Sequence, residues 1–132
     1  MKLEHKNINF EDVRGTITDI FVKEPKEHCT IIFTKKGGIR GNHYHNVSRQ
    51  SDFLIQGKFE VYSRKSNEGP IVKTLWQPYD LLTFEPGEVH EFVALEDSLW
   101  ITFIDGLRGG DEYEKDTFRI EVPLHTLAEQ AS

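Results

Sequence analysis

The chain has 132 residues, of which 37% are hydrophobic and 29% charged, and it carries a formal net charge of −6. This length suits one domain, spanning residues 1–132, and is too short for two domains that each bury a core. Because the balance is acidic and no basic cluster is present, nucleic acid and anionic membranes are not expected as partners.

The N-terminus and the cysteine content indicate where the protein works. The first residues contain no apolar run typical of a signal peptide, and no stretch reaches the roughly 18 apolar residues of a membrane-spanning helix. Cys29 is the only cysteine, so no intramolecular disulfide can form. We therefore expect a cytoplasmic protein in which Cys29 is a small packing residue of a strand and not a nucleophile beside His28.

Short β-strands separated by turns account for most of the chain. Alternating apolar and polar residues, with Gly, Pro and Asn at the turns, mark these strands. The strand at 98–105 is an almost continuous apolar and β-branched run, which indicates burial on both faces. The predicted strands outside the histidine-rich segment lie within residues 8–23, 28–34, 58–64, 70–76, 80–84, 90–94 and 98–105.

The segments between and after these strands carry turn signals. Residues 66–69 are predicted to form a hairpin turn, and a Pro-Gly pair stops the strand at 80–84. Residues 106–117 are predicted to be a loop, residues 118–122 an edge strand, and the residues from Leu124 one short helix. Short strands with turn signals every 8 to 12 residues predict an all-β sandwich or barrel.

The segment from Gly37 to Gly57 contains the residues best suited to metal chemistry. Alternate side chains of a strand share one face, so His43 and His45 are expected to converge on one spot. Neutral imidazole nitrogens bind Zn, Fe, Ni and Cu. Gln50 follows as a third potential ligand, and the site needs at least one more from elsewhere in the chain.

His90 is the candidate for that remaining ligand, because it follows a Pro-Gly turn at the start of a strand. The other histidines, His5, His28 and His125, are expected at the surface. Asp12 and Arg14 precede a glycine and are expected to fix a turn or a subunit contact.

Together the two histidine segments resemble the paired motifs of the cupin family. The resemblance implies an all-β double-stranded β-helix, a small jelly-roll barrel. This sequence departs from the family pattern at Gln50, where Glu is usual, at Tyr79, where Gly is usual, and at Ala94, where Asn is frequent. A neutral amide binds a divalent ion more weakly than a carboxylate does. The residues that match the two motifs are Gly37, His43, His45, Gln50 and Gly57 in the first, and Asp80, Pro86, Gly87 and His90 in the second.

A narrower resemblance is to the sugar-modifying cupins. The segment from Arg40 to His45, Arg-Gly-Asn-His-Tyr-His, is similar to the corresponding segment of the dTDP-4-oxo-6-deoxyglucose ketoisomerases, which also carry Gln at the position of Gln50. It is similar too to the C-terminal cupin domain of the capsular-polysaccharide UDP-sugar epimerase/reductase. The sequence at 12–15 and at 111–118 resembles the flanks of those proteins.

This resemblance implies an isomerase or epimerase that acts on a nucleotide-linked keto-deoxy sugar by proton transfer next to a carbonyl. In one version, His43, His45, Gln50 and His90 bind a divalent metal, Zn, Ni, Fe or Mn, as a Lewis acid. In the other, the same three histidines are the catalytic base and acid without metal. A non-catalytic sugar-binding module and a metal-dependent dioxygenase remain as alternatives.

Two further residues are candidates for binding the substrate. The guanidinium of Arg40 offers a fork of donors suited to a phosphate or a sugar carboxylate. Tyr62 is the second candidate, although a packing or interface role is favoured for it over a catalytic one. A homodimer is expected, in which a second copy covers exposed strand edges and the N-terminal strand crosses over.

Overall fold

A computed structural model describes residues 1–66 and 68–131, and its secondary structure is almost entirely β, which confirms the predicted fold class. Asn67, in the predicted hairpin turn, and Ser132 lie outside the described residues. Two short helices follow the last long strand. In chain order the elements are β1 (Lys2–His5), β2 (Phe10–Asp12), β3 (Gly15–Ile17), β4 (His28–Thr34), β5 (Ile39–Tyr44), β6 (Arg49–Gln56), β7 (Phe59–Arg64), β8 (Val72–Trp76), β9 (Asp80–Phe84), β10 (Val89–Ala94), β11 (Ser98–Asp105), α1 (Glu112–Lys115), β12 (Phe118–Arg119) and α2 (Leu124–Ala131).

The long strands form two antiparallel sheets of five strands each. The first sheet has the order β1-β9-β6-β11-β4 and the second the order β12-β5-β10-β7-β8. Strands that follow one another in sequence therefore often lie in different sheets, as in a jelly roll. The hairpin of β2 and β3 pairs only with itself, and at its turn the carboxylate of Asp12 accepts hydrogen bonds from Arg14.

An aromatic core fills the space between the two sheets. Phe59, Trp76, Phe92 and Trp100 are buried, and their ring centroids lie 5.0 to 6.2 Å apart. Offset and edge-to-face pairs of this kind are favourable beyond the apolar area that they bury. One end of this barrel interior is lined by polar side chains in place of aromatic ones, and that end holds the predicted site residues.

Most of the predicted strands are present, and three have the predicted bounds. Residues 28–34, 80–84 and 98–105 coincide with β4, β9 and β11. Residues 8–23 form only the short β2–β3 hairpin, because the side chains of these two strands are all exposed and neither packs a face on the core. The predicted edge strand at 118–122 is reduced to the two residues of β12.

Two expectations about burial are wrong. In β11 buried and half-buried side chains alternate, because Leu99, Ile101 and Phe103 project from the outer face of the sheet. Cys29 is exposed, because it lies on the outer face of β4, which is an edge strand. The alternation of a strand fixes which residues share a face, and the outer face here is only partly covered, for example where Phe21 packs on Phe103.

The C-terminal segment packs against the second sheet. The predicted helix from Leu124 is present as α2. The predicted loop at 106–117 contains α1, a single turn too short to produce a periodic apolar pattern. No helix in the described ranges is long and apolar enough to cross a membrane.

Candidate functional site

Three strands bring the predicted site residues together. His43 lies near the end of β5, and the antiparallel register of β5 with β10 places His90 directly opposite it. His45 follows β5, and Gln50 comes from β6 in the facing sheet. All four side chains are buried at the same end of the barrel interior. The two motifs thus meet as the sequence predicts.

The approach of β5 to β10 depends on Gly41. This residue has a φ of +81°, a left-handed conformation that favours glycine. A Cβ at this position would lie 2.8 Å from the carbonyl oxygen of His90. The strands also shift register between His90 and Glu91. A glycine therefore allows the backbone that carries His43 to lie against the backbone that carries His90.

The imidazole rings form a compact triangle. The ring centroid of His43 lies 4.8 Å from that of His45 and 4.8 Å from that of His90, and the centroids of His45 and His90 are 5.5 Å apart. One nitrogen from each ring lies within 4.8 Å of the others. Two ligands that are each about 2.1 Å from one ion are at most about 4.2 Å apart. Three ligands around one ion lie closer together than this, about 3.4–3.6 Å apart, so a shared ion requires the nitrogens to approach one another by up to about 1.2–1.4 Å.

Backbone carbonyls fix the orientation of two of these rings. The Nδ1 of His45 donates to the carbonyl oxygen of Asp116 at 2.8 Å, and that of His90 donates to the carbonyl oxygen of Glu88 at 3.1 Å. In a neutral ring the lone pair is then on Nε2. Nε2 of His90 is buried without a hydrogen-bond partner among the described residues. This arrangement, with one nitrogen held by an outer partner, is typical of histidines that bind a metal.

Burial keeps His43 and His90 uncharged. It lowers the pKa of His43 to about 3, with a further contribution from neighbouring His45. Burial also holds the pKa of His90 well below its usual value, again assisted by the other two rings. Both imidazoles are therefore neutral at physiological pH, which is the state that a metal ligand requires. A general base near neutral pH would need a pKa close to 7.

Gln50 is held between a histidine and a buried carboxyl group. Its Nε2 donates to Oδ2 of Asp52 at 2.8 Å, and its Oε1 lies 3.2 Å from Nε2 of His45. Asp52 is completely buried, and burial raises its pKa to about 7 although the hydrogen bond from Gln50 opposes this rise. The amide oxygen thus points toward the histidines, as a ligand would.

These residues fit a divalent metal ion. Three imidazoles and one amide oxygen converge, and Nε2 of His90 has no hydrogen-bond partner among the described residues. Nitrogen ligands of this kind suit Zn, Ni and Fe, and the uncharged amide makes the ligand set weaker than one that includes a carboxylate. The triad could therefore hold a metal.

A pocket of about 180 Å³ opens beside His43 and Gln50. Arg40 and Arg108 both line it, and neither forms a salt bridge with any described residue. Arg40 donates from Nε to the hydroxyl of Thr34 and from Nη2 to a backbone carbonyl oxygen. Two guanidinium groups without carboxylate partners make this pocket suited to an anionic ligand.

Tyr113 and Arg108 are pocket residues that the sequence did not point to. The ring of Tyr113 lies 6.4 Å from that of His43 and 5.9 Å from that of His45, measured between centroids. The guanidinium carbon of Arg108 lies 4.7 Å from the centre of the Tyr113 ring, in a cation–π contact. Both residues belong to the segment predicted as a loop. Two signals were available: the segment follows β11, whose end pairs with Gln50, and residues 111–118 resemble the flanks of the sugar-modifying cupins.

Tyr62 is not brought to this pocket. On β7 the side chains of Phe59 and Val61 point into the barrel, whereas Tyr62 lies on the opposite face and packs with Leu124 of α2. Its hydroxyl donates to Glu60, and burial together with Glu60 raises its pKa to about 12. Of the two predicted substrate-binding residues, the structure places only Arg40 near the histidines.

The histidines outside the motifs have different surroundings. His5 is mostly exposed, as expected, and its Nδ1 lies 2.9 Å from a carboxylate oxygen of Asp80. His28 and His125 are half-buried, and so not free surface residues. His28 contacts the carbonyl oxygen of Gly106. His125 lies at the start of α2, where its Nδ1 is 2.7 Å from the buried carboxylate of Glu91.

Comparison with known proteins shows similarity in structure only. No family model and no curated protein matches the sequence at a significant level. Among solved structures, the 3,5-epimerase RmlC from Legionella pneumophila, in complex with dTDP-4-keto-L-rhamnose, has a TM-score of 0.76 and 15% identity, over 96% of this chain and 75% of that one. The 3,4-ketoisomerase QdtA from Thermoanaerobacterium thermosaccharolyticum, in complex with TDP, has a TM-score of 0.70 and 20% identity, over 90% and 86%.

The capsular polysaccharide assembling protein CapF from Staphylococcus aureus is also similar, with a TM-score of 0.63 and 23% identity. The match covers 89% of this chain but 34% of CapF. The chain thus spans about a third of the length of that protein. These similarities confirm, for the fold, the resemblance to sugar-modifying cupins that the motifs indicate.

Proposed function

We propose that this chain, which has the double-stranded β-helix fold of the RmlC-like cupins, is a metal-dependent isomerase or epimerase of a nucleotide-linked keto-deoxy sugar. One observation carries the proposal. Three imidazoles converge, and one of them, that of His43, lines a pocket that is also lined by two guanidinium groups without salt-bridge partners among the described residues. The first feature suits a metal near a reacting carbonyl, and the second suits the phosphates of a nucleotide.

The reaction class sets what the pocket must supply. Removal of a proton next to a carbonyl leaves negative charge on the carbonyl oxygen, which must be stabilised. A divalent ion held by His43, His45 and His90, with Gln50 beside them, would act as a Lewis acid on that oxygen. The imidazoles themselves serve as ligands and not as proton carriers, because their burial favours the neutral form of His43 and His90.

Tyr113 is the pocket residue best placed to carry the proton. Its ring lies beside those of His43 and His45. As a phenolate it would take the proton from the carbon next to the carbonyl, and as the resulting phenol it would return that proton to the substrate. The contact with Arg108 holds the ring at the pocket wall. We therefore assign Tyr113 the transfer of the substrate's proton. In a metal-free mechanism the three histidines would have this role.

Arg40 and Arg108 are proposed to bind the diphosphate. The pocket, at about 180 Å³, is smaller than the roughly 300–1,000 Å³ of sites that enclose a drug-sized ligand. It therefore suits the sugar ring, whereas the nucleotide lies outside it, on the surface near the two guanidinium groups. The similar proteins RmlC and QdtA were solved with dTDP-4-keto-L-rhamnose and TDP, respectively, which supports a ligand of this class.

The test combines metal analysis with turnover. Protein purified without a histidine tag is expected to contain close to one equivalent of metal, and a content below about a tenth of an equivalent would refute the Lewis-acid version. Isomerisation of dTDP-4-keto-6-deoxyglucose is followed by NMR for the wild type and for Tyr113→Phe. The variant is expected to bind the nucleotide sugar while losing at least about 100-fold in kcat, the usual contribution of acid–base catalysis.

The alternatives predict other results in the same experiment. A non-catalytic module would bind the nucleotide sugar without turnover in the wild type. A dioxygenase would take up O₂ when loaded with Fe(II), which the proposed isomerase does not. The cytoplasmic location and the homodimer stay predictions, and size-exclusion chromatography with light scattering tests the second.

A further inference from the structure

We propose that Asp52 is a positioning residue that fixes the amide of Gln50, so that the amide oxygen faces the histidines as a metal ligand. The inference deepens the proposed function and rests on it for the identity of the ligand. It also explains how a chain with Gln50 in place of the usual acid of this fold can retain a cation site. Asp52 has no part in the cupin motif that the sequence matches.

The strand geometry brings the two side chains together. Gln50 and Asp52 are two residues apart on β6, so both project into the barrel. The nitrogen end of the Gln50 amide faces Asp52, because Nε2 donates to an oxygen of that carboxyl group. The hydrogen bond from Nε2 of Gln50 to Asp52 at 2.8 Å thus directs Oε1 to the other side, where His45 lies.

The contact between Gln50 and His45 indicates that a cation or a proton belongs between the two side chains. The Nδ1 hydrogen of His45 is donated to the Asp116 carbonyl oxygen, so in the neutral ring Nε2 carries a lone pair. Oε1 of Gln50 lies 3.2 Å from this nitrogen and also carries lone pairs. Two acceptors at this distance repel each other unless a cation or a proton lies against both. The hydrogen bond to Asp52 prevents the amide from turning to relieve the contact.

The burial of an acid at position 52 is also consistent with a cation at Oε1 of Gln50. Asp52 is completely buried and forms no salt bridge with any described residue. A buried carboxyl without a cationic partner is costly, and a neutral side chain could satisfy the amide of Gln50 equally well. Behind the amide, however, the carboxyl group would gain a cationic neighbour when a dication binds at Oε1, in addition to the charge of Arg108 that already acts on it. Gln50 and Asp52 together thus take the place of the single acid that is usual here.

The experiment separates the position of the amide from the charge behind it. Asp52→Asn retains an acceptor for the amide but removes the charge, and Asp52→Leu removes both. Ser51→Ala is the matched control, because Ser51 is a buried neighbour on the same strand whose hydroxyl contacts Thr83 on the opposite side. Zinc affinity of each metal-free protein is measured by calorimetry, and the side-chain amide signals of Gln50 are followed by NMR.

Asp52→Leu is expected to weaken zinc binding about 10–100-fold, the usual effect of removing an outer partner of a ligand. Asp52→Asn should fall between Asp52→Leu and the wild type, and Ser51→Ala should match the wild type. The double variant Gln50→Glu/Asp52→Asn, which moves the carboxylate to the ligand position, should bind zinc at least as tightly as the wild type. Zinc affinity of Asp52→Leu within about twofold of the wild type would overturn the proposal.

The NMR readout distinguishes failure of this inference from failure of the proposed function. In metal-free wild type, a Gln50 amide proton bonded to Asp52 should exchange slowly with solvent, and this protection should be lost in Asp52→Leu. Unchanged Gln50 signals in that variant would show that Asp52 does not position the amide. Protected signals in a wild-type protein that binds no zinc and has no turnover would instead support the positioning role and refute the proposed function.

Discussion

Asp116 joins the C-terminal segment to the first histidine motif, and its replacement should be costly. Its carboxylate accepts hydrogen bonds from the backbone N–H groups of Asn46, Val47 and Ser48, at 2.8 to 3.2 Å. Its backbone carbonyl oxygen accepts the Nδ1 hydrogen of His45. One residue thus fixes both the loop after β5 and the orientation of a proposed ligand.

The cost of Asp116→Ala follows from these bonds. A hydrogen bond to a charged group contributes about 1.5–3 kcal/mol, but Asn46 and Val47 are exposed enough for water to replace their partner. Only Ser48 is buried, and its N–H would lose its acceptor outright. We therefore expect the free energy of unfolding to fall by about 2–4 kcal/mol. Zinc affinity should fall about 10–100-fold, because His45 would lose the support of the loop.

Urea denaturation followed by tryptophan fluorescence measures the first effect, and calorimetric zinc titration the second. Asp111→Ala is the matched control. Asp111 is an exposed acidic residue of the same segment, and its side chain does not cap α1. The control should stay within about 0.5 kcal/mol of the wild type. A loss below about 1 kcal/mol for Asp116→Ala, with unchanged zinc affinity, would refute this account of Asp116.

Three further predictions follow from the site. Burial alone would raise the pKa of Asp116, but the hydrogen bonds from Ser48 and its neighbours lower it below the usual value. Its contribution to stability is then present above its unfolded pKa, near 3.8, and is lost as the pH falls through the lower folded pKa. The difference in unfolding free energy between wild type and Asp116→Asn should therefore be constant from pH 5 to 7 and shrink below about pH 4; a difference that grows in acid would contradict this. Removal of metal by EDTA should lower the stability of the wild type by about 2.7 kcal/mol when the metal was present at 100 times its Kd. His90→Ala should show no such change, and a wild-type melting temperature unaffected by EDTA would argue against a resident metal. Finally, Arg40→Ala should raise the KM for the nucleotide sugar by about tenfold or more, with a change in kcat of less than about threefold, because a phosphate contact contributes to ground-state binding. An unchanged KM in steady-state kinetics would contradict the proposed role of Arg40.

The histidine triangle could be predicted from the sequence because it depends on local rules. The spacing of His43 and His45 follows from the alternation of a strand, and the Pro-Gly turn marks the start of the strand that carries His90. Family resemblance supplied the pairing of the two segments. Gln50 and Asp52 are also two residues apart on one strand, so their shared face was predictable, although their hydrogen bond was not.

The rest of the pocket depends on contacts that no local pattern reveals. Arg108 and Tyr113 belong to a polar segment without periodicity, and Asp116 of the same segment contacts residues about 70 positions earlier in the chain. For Tyr62, in contrast, a local pattern did indicate which face of the sheet it lies on. The alternation in β7 already separated it from Phe59 and Val61, but only the structure shows that α2 covers its face of the sheet.

The buried position of Asp52, behind the amide of Gln50, is consistent with the charges of the other pocket residues. Gln50 lines the same pocket as Arg40 and Arg108. A glutamate at position 50 would present its charge directly to that pocket, where it would attract the guanidinium groups and compete with the phosphates of a substrate. Asp52, placed behind the amide, is buried away from the pocket surface. We infer that this recessed position weakens the attraction between the carboxyl and the arginines that the nucleotide requires, although the charge of Arg108 still acts on Asp52. One small pocket would then bind both a metal cation and an anionic nucleotide.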